Sequence, residues 1–342
     1  MSDFYELPSH EQLAALEALL RDSLSAWDLG AVESVELLAE RENAVFAVRT
    51  DRGRFAARVH RAGYHTDDQL RSQVQWMRAL RRAGVVETAD VIDTRDGDLF
   101  AIAARPPVPE PRQVSVLEWV DGEQLSSRLQ SADSDELAGW YRRIGALAAS
   151  LHEQAAGWDR PEGFSCLVWD VEGLLGDDAV WGRFWSLEGM DPRDRSVMRD
   201  FRERARNELT QLPRERSSYG LVHNDFLAEN LLLSGDRLTL LDFDDCGDSW
   251  FVWDLTPALV SIATRDDYPL LRAALVDGYR EVRPLREQEL ACLPLLFALR
   301  MATYAAWLDT RRHTQFAKDL GPVIVDAAVD VVRRFLAGEL EV

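Results

Sequence analysis

"LVHNDFLAENLLL", residues 221–233, sets His223, Asp225 and Asn230 between two apolar runs. "RLTLLDFDD" (237–245) follows and reads as a second short strand, joined to the first by a compact loop. An apolar strand ordinarily gives way to a turn, and Asp225 alone would be read as a turn-capping aspartate. The neighbours change that reading. A carboxylate and an amide five residues apart on one loop can face the same point, and Asp242 closes the adjacent strand. The fold must therefore place a polar cleft beside this pair of strands.

Working outward, the chain divides into two kinds of pattern. "DELAGWYRRIGALAASLHEQA" (135–155) has a helical period, and residues 265–338 are helical again. On the N-terminal side, "SHEQLAALEALLRDSLS" (9–25) reads as a helix behind a Ser9 cap. "SVELLAE", "AVFAVRT" and "RFAARVH" read as strands, with a turn at 51–53 between the last two. "DDQLRSQVQWMRALRRAG" (67–84) is a helix that starts on two aspartates and stops at Gly84. "DLFAIAA" and "QVSVLEWV" are further strands, joined by "RPPVPEPR", whose prolines exclude it from a central strand. The expected fold class is α+β, with two lobes. A β-rich lobe with a leading helix spans 1–118, and a mainly helical lobe holding one β-hairpin spans 119–342, with the linker near "EWVDGEQL". A cleft between two lobes is a usual place for a ligand.

Composition narrows the partners. The net charge of −20 argues against nucleic acid or an anionic membrane surface, and it speaks first to solubility and then to a cationic substrate. No apolar run reads as a membrane span, and the acidic, polar start does not resemble a signal peptide. Three scattered cysteines without a CxxC predict a reducing, cytoplasmic setting. Of the 39 basic residues only Lys318 is a lysine, so 38 are arginines. Chemistry that needs a lysine in the N-terminal half is excluded.

Asn230 and Asp242 offer hard oxygen ligands of the kind Mg²⁺ prefers, and Mg²⁺ keeps waters and shares phosphate oxygens. Asp225 is then left to accept a proton from an attacking hydroxyl. This is the constellation of phosphoryl transfer in kinases. "HNDFLAEN" followed by "LLDFDDCGDSWFVWDL" resembles the aminoglycoside/choline/homoserine kinase-like phosphotransferases, a branch of the protein-kinase-like fold. "IGALAASLHEQ" resembles the helix before their catalytic loop. "FAARVHRAGYHTDDQLRSQVQWMRAL" and "WGRFW" resemble the branch with type II homoserine kinase-like proteins and the bacterial stress-response kinase. The likeness runs from about residue 30 to 315.

The resemblance implies roles. Asp225 is the base or orienter, Asn230 and Asp242 hold Mg²⁺, and His223 and Asp254 brace the loop. Leu232 lies under the adenine of ATP, Glu118 and Val120 offer backbone groups to its edge, and Asn43 sits in the loop over the phosphates. Two positions depart from the pattern. Arg58 stands where the third strand of a kinase carries lysine, and Gln73 stands where a helix glutamate would pair with it. Gln73 can accept a hydrogen bond from Arg58, or Arg58 finds another carboxylate. The covering loop also lacks a glycine-rich motif. The implied reaction moves the γ-phosphate of ATP to a small amino alcohol, amino acid or aminoglycoside-like acceptor, with a protein serine or threonine as the alternative substrate. A nucleotide-binding pseudokinase is a second alternative. A third is a haloacid-dehalogenase-type phosphatase, with Asp242 as nucleophile and Asp244 as acid/base, which needs a doubly wound domain. Trp169, Trp181 and Trp185 either wall the acceptor site or plug an insertion, and Arg300, Tyr304 and Trp307 share a helix face that the resemblance brings toward the acceptor.

Overall fold

The computed structural model describes residues 4–40, 43–312 and 314–342. Helix α1 (Ser9–Ser23) leads into an antiparallel sheet of β1 (Val32–Glu40), β2 (Ala44–Thr50) and β3 (Gly53–Val59). Then come α2 (Asp67–Arg82), β4 (Val91–Ile92), β5 (Ala101–Ala103) and β6 (Arg112–Glu118). The order is β1-β2-β3-β6, with β4 and β5 sharing the free edge of β6. Alternation along β2 and β3 puts Phe46, Val48, Ala57 and Val59 on one face, where Leu19, Leu20 and Trp27 cover them. The opposite alternation turns Arg58 toward the cleft, opposite Val45 on β2 and Ser115 on β6.

Helix α2 is set at both ends by its own sequence. Thr66 Oγ1 accepts from the Gln69 N–H and the Gln69 carboxamide accepts from the Thr66 N–H, a capping box of the kind worth about 1 kcal/mol. Gly84, at φ +66°, closes the last turn, with its N–H on Arg81 O and the Val85 N–H on Leu80 O. Its apolar face is shared between the lobes, and Val74 packs with Val91 and Leu117 of the sheet. Trp76, Met77 and Leu80 join the large core of the helical lobe. Trp76 Nε1 donates to Gln154 Oε1 (3.0 Å), and the Ser165 N–H donates to Ser72 Oγ (2.9 Å).

The rest of the chain supplies β7 (Glu123–Gln124), α3 (Leu125–Leu129), α4 (Ser134–Gly157), β8 (Leu167–Val168), α5 (Val171–Leu175) and α6 (Pro192–Thr210). After these come β9 (Tyr219–Val222), β10 (Leu231–Ser234), β11 (Arg237–Leu240), β12 (Gly247–Trp250), α7 (Thr256–Ser261), α8 (Tyr268–Val282), α9 (Glu287–Leu290), α10 (Leu293–Asp309) and α11 (Gln315–Ala337). The expected single hairpin is in fact two small sheets. β10 and β11 pair with β7, while β9 pairs with β12 and β8. Both apolar runs of the opening stretch are strands, but they belong to different sheets, and the polar loop crosses between them. Nothing here is doubly wound, which removes the frame that the phosphatase reading needs.

Helices α4 and α8 pack backbone to backbone. A β-carbon on Gly145 would lie 2.0 Å from Leu275 O, and one on Gly278 would lie 1.9 Å from Arg142 O. Only glycine permits this approach, which fixes α4 beneath the polar loop. Two expectations need correction. Helix α1 starts at Ser9 itself, after Pro8, and makes no side-chain cap. The stretch Glu287–Asp309 is long and apolar enough to span a membrane, but 67% of it is buried inside the protein. α10 is a core helix, apolar on all sides because it is surrounded.

Candidate active site

Beyond β9 the chain enters the loop through Asn224, at φ +66°, a conformation asparagine tolerates better than most residues. The loop is held from below by Asp254, which is fully buried. Its carboxylate accepts from the His223 N–H (2.9 Å), the Asn224 N–H (2.5 Å) and His152 Nε2 (3.0 Å). His152 comes from α4, and its Nδ1 is bonded to Tyr279 OH on α8 (2.9 Å). The close helix pair thus carries the acceptor set of the loop. Burial pushes the pKa of His152 down, against the pull of Asp254. His223 is also buried, which lowers its pKa. Its Nε2 faces Leu241 O (3.0 Å) and its Nδ1 accepts from the Asp225 N–H (3.2 Å), so the partners assign the proton to Nε2. Both ring nitrogens are occupied by backbone.

Asp225 opens onto the cleft with its carboxylate fixed from two sides. Asn230 Nδ2 donates to Asp225 Oδ2 (2.6 Å), and Arg300 Nη2 donates to Oδ1 (3.3 Å). Arg300 also reaches Asn224 Oδ1 (3.2 Å) and lies over the Trp181 ring at 4.6 Å. With Nδ2 of Asn230 committed to Asp225, its Oδ1 is the end left to accept or to coordinate. Asp242 sits at φ +59°. Its side chain is 43% exposed, yet its Oδ1 is buried without a hydrogen bond, and Arg58 Nη2 stays 3.6 Å away. Burial and the charge of Asp244 push this carboxyl up to about 6, against the pull of Arg58. An orphaned buried carboxylate oxygen fits a hard cation. Among the described residues no three His, Cys, Asp or Glu side chains form a metal cage. A site of two protein ligands is one that phosphate oxygens and water complete.

On the small-lobe side Arg58 has a carboxylate, but not on α2. Arg58 Nη1 meets Asp244 Oδ1 at 2.8 Å. Gln73 Nε2 donates to that same oxygen (3.2 Å), and Asn43 Nδ2 donates to Oδ2. Gln73 therefore does not accept from Arg58. Arginine has only donors, and both donors converge on one carboxylate. Burial works against the ionised Asp244, but Arg58, His60, His65 and the Gln73 hydrogen bond hold it at about 2. Asn43 Oδ1 also accepts from the Arg61 N–H (3.1 Å), which anchors the start of β2. Arg41 and Glu42 of the covering loop lie outside the described residues.

The positions assigned to adenine lie on β6, on the segment after it and on β10. Val120 packs with Ala56 and Leu241 against Val74, Val91 and Leu117. Leu232 is half-buried on β10, opposite Gln124 and Thr239. Glu118 ends β6, with its N–H on Asp90 O (2.9 Å) and its carboxylate on Arg81 (3.1 Å).

A cleft of about 490 Å³ brings together Asn43, Arg58, Asp225, Asp242, Trp181 and Trp307, while Glu118, Val120, Asn230 and Leu232 are not on its lining. Sequence reasoning missed Asp245 on its wall. Asp245 Oδ1 accepts from Tyr64 OH and from Trp181 Nε1 (3.3 Å), and its carbonyl accepts from Trp169 Nε1 (2.8 Å). Burial, then the charge of Asp225, pushes this carboxyl up to about 7. Of the three tryptophans, Trp181 lines the cleft, while Trp169 and Trp185 are core. His152 was also missed. Its signal was an i, i+4-spaced helix leading to the loop with one histidine on its apolar face.

Comparison with known proteins bears on the fold and the class of reaction. The sequence pattern described as "Phosphotransferase enzyme family" matches residues 34–290. Amicoumacin kinase of Bacillus subtilis is 24% identical over 254 residues, covering 74% of this chain and 68% of that protein. Homoserine kinase of Agrobacterium fabrum is 25% identical over 289 residues, covering 81% and 80%. The solved microcompartment-associated aminopropanol kinase superposes with a TM-score of 0.83 at 28% identity, over 94% of this chain and 98% of that one. A solved amicoumacin kinase, in complex with AMP-PNP and Ca²⁺, superposes with a TM-score of 0.74 at 17% identity, over 94% and 95%. With one pattern spanning well over half its length, the chain belongs to the phosphotransferase enzyme family and is a small-molecule kinase of protein-kinase-like fold.

Proposed function

We propose that the chain transfers the γ-phosphate of ATP to the hydroxyl of a small amino alcohol, amino acid or aminoglycoside-like molecule, with Asp225 as base and orienter. The observation that carries this reading is the meeting of Asp225, Asp242 and Arg58 in one cleft, with an unbonded buried oxygen on Asp242. The acceptor oxygen forms a bond to the γ-phosphorus as the bond from that phosphorus to the bridging β–γ oxygen breaks. ADP leaves, and the hydroxyl proton passes to Asp225. Asn230 and Asp242 would hold Mg²⁺, which offsets charge on the triphosphate. Arg58, kept in place by Asp244, faces the phosphates from the sheet, and its planar fork suits them. Adenine lies between Leu232 and the Ala56–Val120 edge, with Glu118 and Val120 offering backbone groups. His223 and Asp254 do no chemistry and keep the loop in shape.

The test is ATP turnover against a panel of small alcohols, with the phosphate ester read by phosphorus NMR, in Mg²⁺ and in EDTA. Ester formation that needs both Mg²⁺ and an alcohol is expected. Melting temperatures that ignore millimolar Mg·ATP, with no ester formed, would remove the reading.

A further inference from the structure

The carboxylates around the cleft are not equivalent. Asp244 is saturated by Arg58, Gln73 and Asn43. Asp242 carries the orphaned oxygen assigned to the metal, and Asp225 faces the reacting hydroxyl. Asp245 has no such task. It is only 9% exposed, so its position is fixed by the protein, and it lines the cleft beside Asp225. Its Oδ1 is engaged by a phenol and an indole. Among the described residues its Oδ2 takes no hydrogen bond and no arginine lies within ion-pair distance of it, although the charge of Arg300 reaches it. Arg300 is committed to Asn224 and Asp225. A desolvated carboxylate held by neutral donors is stabilised by a cation, and here the cation must arrive with a ligand. The wall beside it is aromatic. Trp181 and Trp307 are buried, and Tyr304 stacks on Trp307 with ring centres 5.5 Å apart. Aromatic faces also attract ammonium groups.

We propose that Asp245 seats the ammonium group of the acceptor, so that the substrate is a small amino alcohol whose hydroxyl meets Asp225 while its amine meets Asp245 Oδ2. The proposal rests on the phosphotransfer reading above and adds the substrate class and the residue that selects it. Among the described residues lining the cleft, both arginines already hold aspartates. An acceptor that carries a carboxylate as well is therefore a poorer fit than a plain amino alcohol.

The experiment uses the full chain with saturating Mg·ATP and three acceptors: 1-amino-2-propanol, its neutral isostere propane-1,2-diol, and homoserine. The wild type should show a KM for the amine about 10- to 100-fold below that for the diol, the worth of one hydrogen bond to a charged group. Asp245→Asn should raise the amine KM by the same factor, with kcat for the amine, KM for the diol and KM for ATP all within about threefold of wild type. A merely structural role would move kcat, or would move both acceptors alike. Propylamine, which has no hydroxyl to phosphorylate, gives a reading independent of any variant's folding. It should compete with the acceptor in the wild type, and propan-1-ol should not. Equal KM values for amine and diol, a preference for homoserine, or equal inhibition by propylamine and propan-1-ol overturns the assignment while phosphotransfer stands. Transfer to no alcohol at all overturns the phosphotransfer reading and this proposal with it.

Discussion

The loop at 223–230 and the turn at 242–245 both line the cleft, yet they are assembled in opposite ways. The loop is tied mostly to its own lobe and backbone. Asp254 collects two loop N–H groups, and His223 bridges two backbone positions. The turn is held by side chains that arrive from four separate places in the first third of the chain: Asn43, Arg58, Tyr64 and Gln73. The difference shows where substitution is absorbed. A motif packed into a few consecutive residues leaves its members little freedom. An ion pair assembled from distant elements can change partners, and here the carboxylate that a helix glutamate would supply is Asp244 instead.

The largest test of the loop is Asp225→Asn. It should lower kcat by about a thousandfold, within the range for removing a general base, with KM for ATP nearly unchanged. An unchanged kcat would take Asp225 out of its role. Next is Asp254→Ala, which leaves two buried N–H groups and His152 without an acceptor. A loss of about 3 kcal/mol is expected, read as a fall in the urea midpoint at constant slope. A loss under about 0.5 kcal/mol would mean that the loop is held elsewhere. On the turn, Gln73→Glu looks like a repair of the kinase pair, but here it brings a second carboxylate against Asp244. It should raise KM for ATP by about tenfold, one neutral hydrogen bond turned into a repulsion. A lower KM would mean that Arg58 prefers the helix after all, and the contrast with the loop would collapse.

The smallest effect concerns Asp245. Its carboxyl is raised to about 7 from an ordinary value near 4, by burial and then by Asp225, with Tyr64, Arg300 and Asp242 facing it as well. Between those values the folded chain keeps a proton that the unfolded chain has released. The contribution of this group to stability therefore falls as pH rises from about 4 to about 7. Asp245→Asn should gain on the wild type across that window, on the order of 1 kcal/mol given the carboxylate's access to the wet cleft. A difference that is flat with pH would place the proton elsewhere.

The parts that sequence made legible are the parts with local patterns. Alternating apolar residues marked β2 and β3, the 3.6 period marked α2 and α4, and Gly84 marked the end of α2 where it forms a closing turn. The misses are non-local. β9 pairs with β12 across more than twenty intervening residues, and no turn signal links them. β4, β7 and β8 have two residues each, too few for any period to appear. In the site, "LDFDD" displays three aspartates in four positions, but adjacency in sequence says nothing about environment. Asp244 and Asp245 point to opposite sides of the turn, one among arginine and amides, the other among a phenol and indoles. The role of Gln73 was equally hidden, since an amide can donate or accept and only the partner decides which.

Helix α2 has a mechanical consequence. It is counted in sequence with the small sheet, yet Trp76, Met77 and Leu80 are embedded in the helical lobe's core, and Ser72 and Trp76 are bonded to it. It is also tied to the small lobe: Arg78 bonds Asp90 and Asp93, Arg81 bonds Glu118, and Val74 packs with Val91 and Leu117. A brace gripped by both lobes thus carries Gln73 to Asp244, where Arg58 and Asn43 arrive from the sheet. A change in how α2 sits would therefore be felt at the carboxylate that holds Arg58.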